Sequence, residues 1–128
     1  MSINGSNHSW IRSYPRGWHS LVLEMAKEIK DYLSTYEIPL KAFCVDDCKE
    51  KFGVIVLYFH LDEIIFDENS DSYKWHMRDL YNIISHYSQK SRNTCCVCGK
   101  EATYRTTDYV LPFCDKHYRK KMIEWYGR

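Results

Sequence analysis

Four residues in the last third of the chain constrain it most: Cys95-x₂-Cys98, a fifteen-residue gap that opens with Gly99, then Cys114-x₂-His117. Thiolate and imidazole are the preferred donors of a tetrahedral zinc ion, and three cysteines with one histidine make a complete set with no position left for water. Two donors three positions apart can grip one ion from a single tight turn, and Gly99 lets the backbone curl around it. The second pair falls where a helix should begin, so one helical turn aims Cys114 and His117 at the same point. The spacing therefore predicts a single structural Zn²⁺. Cys96 lies beside Cys95, but only Cys95 keeps the two-residue gap to Cys98.

A chain of 128 residues with 45% hydrophobic side chains is long enough for one ordinary core. No apolar run reaches the length of a membrane-spanning helix. The first residues lack the basic start and apolar stretch of a secretory signal. Thiolate ligands persist where thiols stay reduced, so a cytoplasmic location with no membrane partner is expected. Charge is unevenly spread: residues 37–88 carry five Lys/Arg against ten Asp/Glu, and residues 89–128 carry nine against four. Such asymmetry marks candidate interaction surfaces.

Residues 1–16 have no periodicity and read as an arm laid on the body. Trp18, Leu21, Val22, Met25, Ile29, Tyr32, Leu33 and Tyr36 share one helical stripe, with Gly17 before it and Pro39 after it. Leu40–Val45 reads as a strand, Asp46–Gly53 as a turn, and the apolar run Val54–Phe59 as a central strand covered on both faces. Leu61–Phe66 is a candidate third strand and Asp67–Ser72 an acidic loop ending in an N-cap. Tyr73, His76, Met77, Leu80, Ile84 and Tyr87 mark a second amphipathic helix. A knuckle at Cys95–Gly99, two short strands near Ala102–Thr106 and Tyr109–Phe113, and a helix over Asp115–Tyr126 complete the order. The expectation is an α+β fold: two amphipathic helices on a small antiparallel sheet, followed by a C-terminal treble-clef-like zinc module. The divisions are 1–16 (arm), 17–91 (body) and 92–128 (module).

Several pieces together carry a resemblance. Gly17-Trp18 opens a helix, Lys49-Glu50-Lys51-Phe52-Gly53 precedes an apolar strand containing Tyr58, and a Ser-containing helix end leads into Thr94-Cys-x₂-Cys-Gly. Phe113-Cys-x₂-His117 follows. Over roughly residues 15–118 this resembles a group of small proteins common in phage and prophage genomes. The chain departs from that pattern at Cys48 and at Val54, where a second glycine would commonly follow Gly53. The resemblance implies a phage accessory setting rather than a particular reaction.

No nucleophile, base and orienting group can be named together, so an enzyme is not expected. A His-Asn-His nuclease needs a histidine on the hairpin, and none lies between Cys98 and His117. His8, His19, His60, His76 and His86 are scattered and read as surface or satisfied core residues. Cys44 and Cys48 could borrow His60 or His19 for a second metal, but read better as small core hydrophobes. Two binding readings remain. Eleven tyrosines and four tryptophans suit a protein interface, and Asp62, Glu63, Asp67, Glu68 and Asp71 could meet a basic surface on a host protein. A stoichiometric inhibitor of a host defence complex, in the manner of an anti-CRISPR protein, is the expectation. The alternative is nucleic acid, met by Lys116, Arg119, Lys120, Lys121 and Arg128 of the last helix, with Tyr118, Trp125 and Tyr126 between them.

Overall fold

The first helix, α1 (His19–Thr35), follows two short 3₁₀ turns, Ser9–Ser13 and Arg16–Trp18, in a computed structural model that describes residues 9–62, 70–107 and 109–127. The expected stripe is the one that packs: Trp18, Val22, Met25, Ile29 and Leu33 are completely buried, while Tyr36 projects into solvent. Each such side chain contributes about 1.5–3 kcal/mol relative to exposure. The helix ends in a Schellman turn, with Ile38 N–H donating to Leu33 O (2.8 Å) and Glu37 N–H to Ser34 O (3.1 Å). Glu37 occupies the left-handed position (φ 55°) that usually holds glycine, and Pro39 blocks further helix.

A third 3₁₀ turn, Leu40–Ala42, leads into β1 (Phe43–Lys51), which pairs antiparallel with β2 (Val54–Leu61). This corrects the expected turn over Asp46–Gly53: only Phe52 and Gly53 turn, with φ of 55° and 79°. Both central residues are left-handed, as a two-residue hairpin matching the strand twist requires. The polar run Asp46–Lys51 hides the strand because its alternation is interrupted. A bulge between Val45 and Asp47 shifts the register, so Phe43, Val45 and Cys48 are buried while Asp46 is extruded to hold His60 (Nδ1–Oδ1 2.8 Å). The same bulge places Cys44 and Cys48 on opposite faces, which separates the pair considered for a second metal.

Among the described residues β2 pairs only with β1, and burial alternates, with Ile55, Leu57 and Leu61 inward and Tyr58 and His60 outward. The candidate third strand lies mostly outside the described residues, as does most of the acidic loop that follows it. Helix α2 (Asp71–Arg92) begins two residues before the expected stripe because Ser70, rather than Ser72, caps it, accepting from Tyr73 N–H. Leu80, Ile84 and Tyr87 pack onto the sheet and α1. Tyr32 OH, which donates to Asp79, ties the two helices together. Residues 9–14 lie against β1: Trp10, Ile11 and Tyr14 are buried and Tyr14 OH donates to Val56 O at 2.7 Å.

The expected hairpin of the C-terminal segment shrinks to β3 (Tyr104–Arg105) and β4 (Pro112–Phe113). Thr106 shortens it: its hydroxyl donates to Tyr109 O and accepts from Leu111 N–H, so the connection closes through a side chain. Helix α3 (Asp115–Tyr126) follows β4 directly and buries no residue along its length.

Candidate metal centre

The knuckle forms because local backbone bonds close it: Gly99 N–H donates to Cys95 O (3.0 Å) and Cys95 N–H to Lys100 O (2.7 Å). Cys96 N–H donates to Pro112 O, which sews the knuckle to β4 and brings Cys114 alongside. Cys114 is the N-cap of α3 (φ −72°, ψ 167°), so His117 lies in the first helical turn. The four expected residues meet. Cys95, Cys98 and Cys114 Sγ and a ring nitrogen of His117 all lie within 4.8 Å of one another. Cys98 and Cys114 sulfurs are 3.7 Å apart, and His117 Nδ1 is 3.7 Å from Cys95 Sγ and 3.1 Å from Cys114 Sγ.

The electrostatics suit a cation. Burial pushes the Cys95 thiol up, but hydrogen bonds from the backbone of Cys114, Cys98 and Val97 outweigh it and the net shift is downward, toward thiolate. The Lys100 backbone lowers the Cys98 thiol, but desolvation, hydrogen bonds with the Cys114 and Cys95 sulfurs and repulsion from Cys95 together shift it up. A cation would remove that repulsion. The positive end of α3 adjoins Cys114. Cys96 behaves differently. Desolvation and the neighbouring Cys95 push its pKa to about 12, so it stays a neutral, buried thiol. These four residues could hold a metal ion.

The site is built as much by the body as by its own segment. Gly17 N–H donates to Cys96 O (2.9 Å) and Trp18 Nε1 to Thr94 O (2.9 Å). A Cβ on Gly17 would lie 2.1 Å from Cys95 O and 2.8 Å from Gly99 N, so only glycine permits this approach. The tip of the β1–β2 hairpin docks on the opposite side. Arg105 donates to Phe52 O (3.0 Å) and Arg92 O (2.9 Å), and Glu50 accepts from Gly53 N–H (2.9 Å) and Tyr109 OH (3.2 Å). Sequence reasoning missed Arg105, whose partners are 13 and 53 residues away. Its pKa is lowered by burial and by nearby Arg92, yet a guanidinium keeps its proton.

The other expected surfaces are less assembled. On α3, Lys116 and Lys120 are exposed, Arg119 pairs with Asp115 (3.2 Å), and Lys121 lies over the Trp125 ring at 5.3 Å. Tyr118 stacks on Tyr104 at 4.3 Å, which leaves Trp125 and Tyr126 as the exposed aromatics of that helix. Arg128 lies outside the described residues, as do Glu63, Asp67 and Glu68. Of the remaining acids, Asp62 is half-buried with its N–H on Ala42 O, and Asp71 is exposed in the first turn of α2.

Fold and site together define a mixed α+β protein with a Cys₃His cluster clamped between its N-terminal segment and its hairpin. Comparison with protein families, with characterised proteins and with solved structures finds no match for the chain. No helix among the described residues is long and apolar enough to cross a membrane.

Proposed function

We propose that the cluster holds one structural Zn²⁺ and that the protein is a non-enzymatic, zinc-stabilised binder of a protein partner. A regular tetrahedron with zinc–sulfur bonds of about 2.3 Å has edges of about 3.8 Å, against the 3.7 Å separation of the Cys98 and Cys114 sulfurs. Knuckle, short hairpin and a helix whose first turn supplies the last two donors support a treble-clef reading of residues 92–127. Zinc there is a folding element, since α3 has no fully buried residue and the two-residue strands cannot form a core alone.

The observation that carries the binding reading is Phe52. Its backbone is left-handed (φ 55°) and its side chain is 74% exposed at the hairpin tip. A bulky residue in that conformation costs roughly 1–3 kcal/mol. Among the described residues the ring meets the Lys51 ammonium, 5.6 Å from its centroid. Arg105 and Glu50 hold the strained tip in place, so the zinc segment serves as the rigid mount of an aromatic knob. Strain retained beneath an exposed aromatic ring suits an anchor for a partner's pocket. With the resemblance to phage and prophage proteins, the partner class is a host protein, and inhibition of a host defence complex is the corresponding role.

The test is capture from bacterial lysate, with and without nuclease, on immobilised zinc-loaded protein and on its Phe52→Ala variant. A protein retained through nuclease treatment and lost with Phe52→Ala supports the reading. An identical set captured by the variant would refute the role of the hairpin tip. Recovery of nucleic acid alone, released by salt, would transfer the function to Lys116 and Lys120.

A further inference from the structure

The outer edge of β2 borders a groove of about 350 Å³ whose other wall is α2. Ile55, Val56, Leu57, Tyr58 and Phe59 all line it. A cavity over a sheet face would touch alternate residues, whereas an unbroken run of five means that the groove follows the strand edge. Among the described residues no strand pairs with that edge. One of its outward N–H groups, that of Ile55, is already met by a side-chain acceptor, Ser91 Oγ at 2.8 Å. Strand alternation directs the N–H and C=O of Leu57 the same way. The edge thus presents backbone donors and acceptors beside an apolar trough.

The α2 wall consists of Met77, Tyr81, Ile84, Ser85 and Ser88. Helical periodicity continues this stripe to Lys74 at one end and Arg92 at the other, with Arg78 between them. Of the two acids on α2, Asp79 accepts from Tyr32 OH (2.9 Å) and pairs with Arg78 (3.6 Å), and Asp71 lies in the first turn, three residues before Lys74. β2 itself contains no Asp, Glu, Lys or Arg. The trough is therefore apolar, with Lys74 and Arg92 at the two ends of its helical wall.

We infer that this groove accepts an extended peptide segment of a partner as an added β-strand, with small apolar side chains in the trough and acidic residues at its ends. Strand addition draws affinity from main-chain hydrogen bonds and selectivity from alternate side-chain positions. Charge complementarity with Lys74 and Arg92, at the two ends of the trough, chooses acidic flanks. The inference rests on the protein-binding reading for its partner class, but concerns a surface separate from Phe52.

The experiment uses purified zinc-loaded protein and a fluorescent seven-residue peptide alternating threonine and valine between terminal aspartates. Two control peptides carry lysine termini or N-methyl groups on alternate amides. Anisotropy is expected to report saturable binding, weakened about tenfold or more by each control, since each removes charge-assisted or main-chain hydrogen bonds. Ser85→Trp, which fills the trough from the half-buried α2 wall, should abolish binding while far-UV circular dichroism stays unchanged. Amide exchange at Leu57 should slow when the peptide is bound. Phe52→Ala should bind the peptide normally, so failure here and failure of the hairpin reading are distinguishable. Equal binding of the N-methylated peptide, or none at millimolar concentration, overturns the inference. So does a concentration-dependent dimer abolished by Ser85→Trp, which would assign the edge to a second copy.

Discussion

Replacing Gly17 by alanine tests the claim that the metal knuckle is clamped by the N-terminal segment. The new Cβ would lie 2.1 Å from Cys95 O and 2.6 Å from the Cys96 carbonyl carbon. Ordinary contact begins at 3.4 Å, so the knuckle must retreat by about 1.3 Å. Every nearby atom is backbone, so no side-chain rotation relieves the overlap. That retreat stretches the Gly17–Cys96 bond from 2.9 Å to beyond hydrogen-bonding distance. Overpacking costs about 1–3 kcal/mol and the lost hydrogen bond about 1 kcal/mol more, for a sum of about 2–4 kcal/mol. At this chain length each kcal/mol corresponds to about 4 °C, so the variant should melt about 10 °C below the parent. Because Cys95 is both the struck residue and one of the four proposed ligands, chelator competition should also strip metal from the variant more readily. A melting temperature within about 2 °C of the parent, with unchanged metal retention, would refute the clamp.

Three further outcomes follow from the same geometry. Cys95→Ser should lose the metal and cooperative melting of the C-terminal third, whereas Cys96→Ala should keep one bound ion per chain, as elemental analysis would register. Glu37→Gly should raise stability by about 1 kcal/mol in urea titration, because it removes a left-handed glutamate. The phenol of Tyr87 has its pKa raised to about 12 by burial and by its hydrogen bond to Glu28, and burial also raises Tyr14 and Tyr32. The stability that depends on neutral phenols is complete below about pH 10 and falls as pH rises through 12. Tyr87→Phe should flatten that alkaline loss in melts taken between pH 8 and 12.

The metal cluster was legible in the chain because its geometry is local. A knuckle needs four consecutive residues and a helix N-terminus needs four more, so spacing alone aims each pair. The stripe of α1 was legible for the same reason, since helical period is a short-range property. Lys49–Gly53 was visible as a motif but not as a structure. Its turn depends on two left-handed residues, and the groups that hold it, Arg105 on Phe52 O and Tyr109 on Glu50, lie more than fifty residues away. The apolar run of β2 reports burial rather than neighbours: α2 covers its inner face, and among the described residues only β1 pairs with it.

Sequence by itself determined the four Cys/His residues of the candidate metal centre, the two amphipathic helices and the mixed α+β class. Only the tertiary structure decided that Gly17 and Trp18 brace the knuckle, that Cys44 and Cys48 are parted by a bulge, and that Phe52 is held outward in a strained turn. The division follows the range of the forces. Metal spacing and helical period are set by bonds between near neighbours, whereas clamps, strand edges and exposed rings depend on which distant surfaces exclude water together.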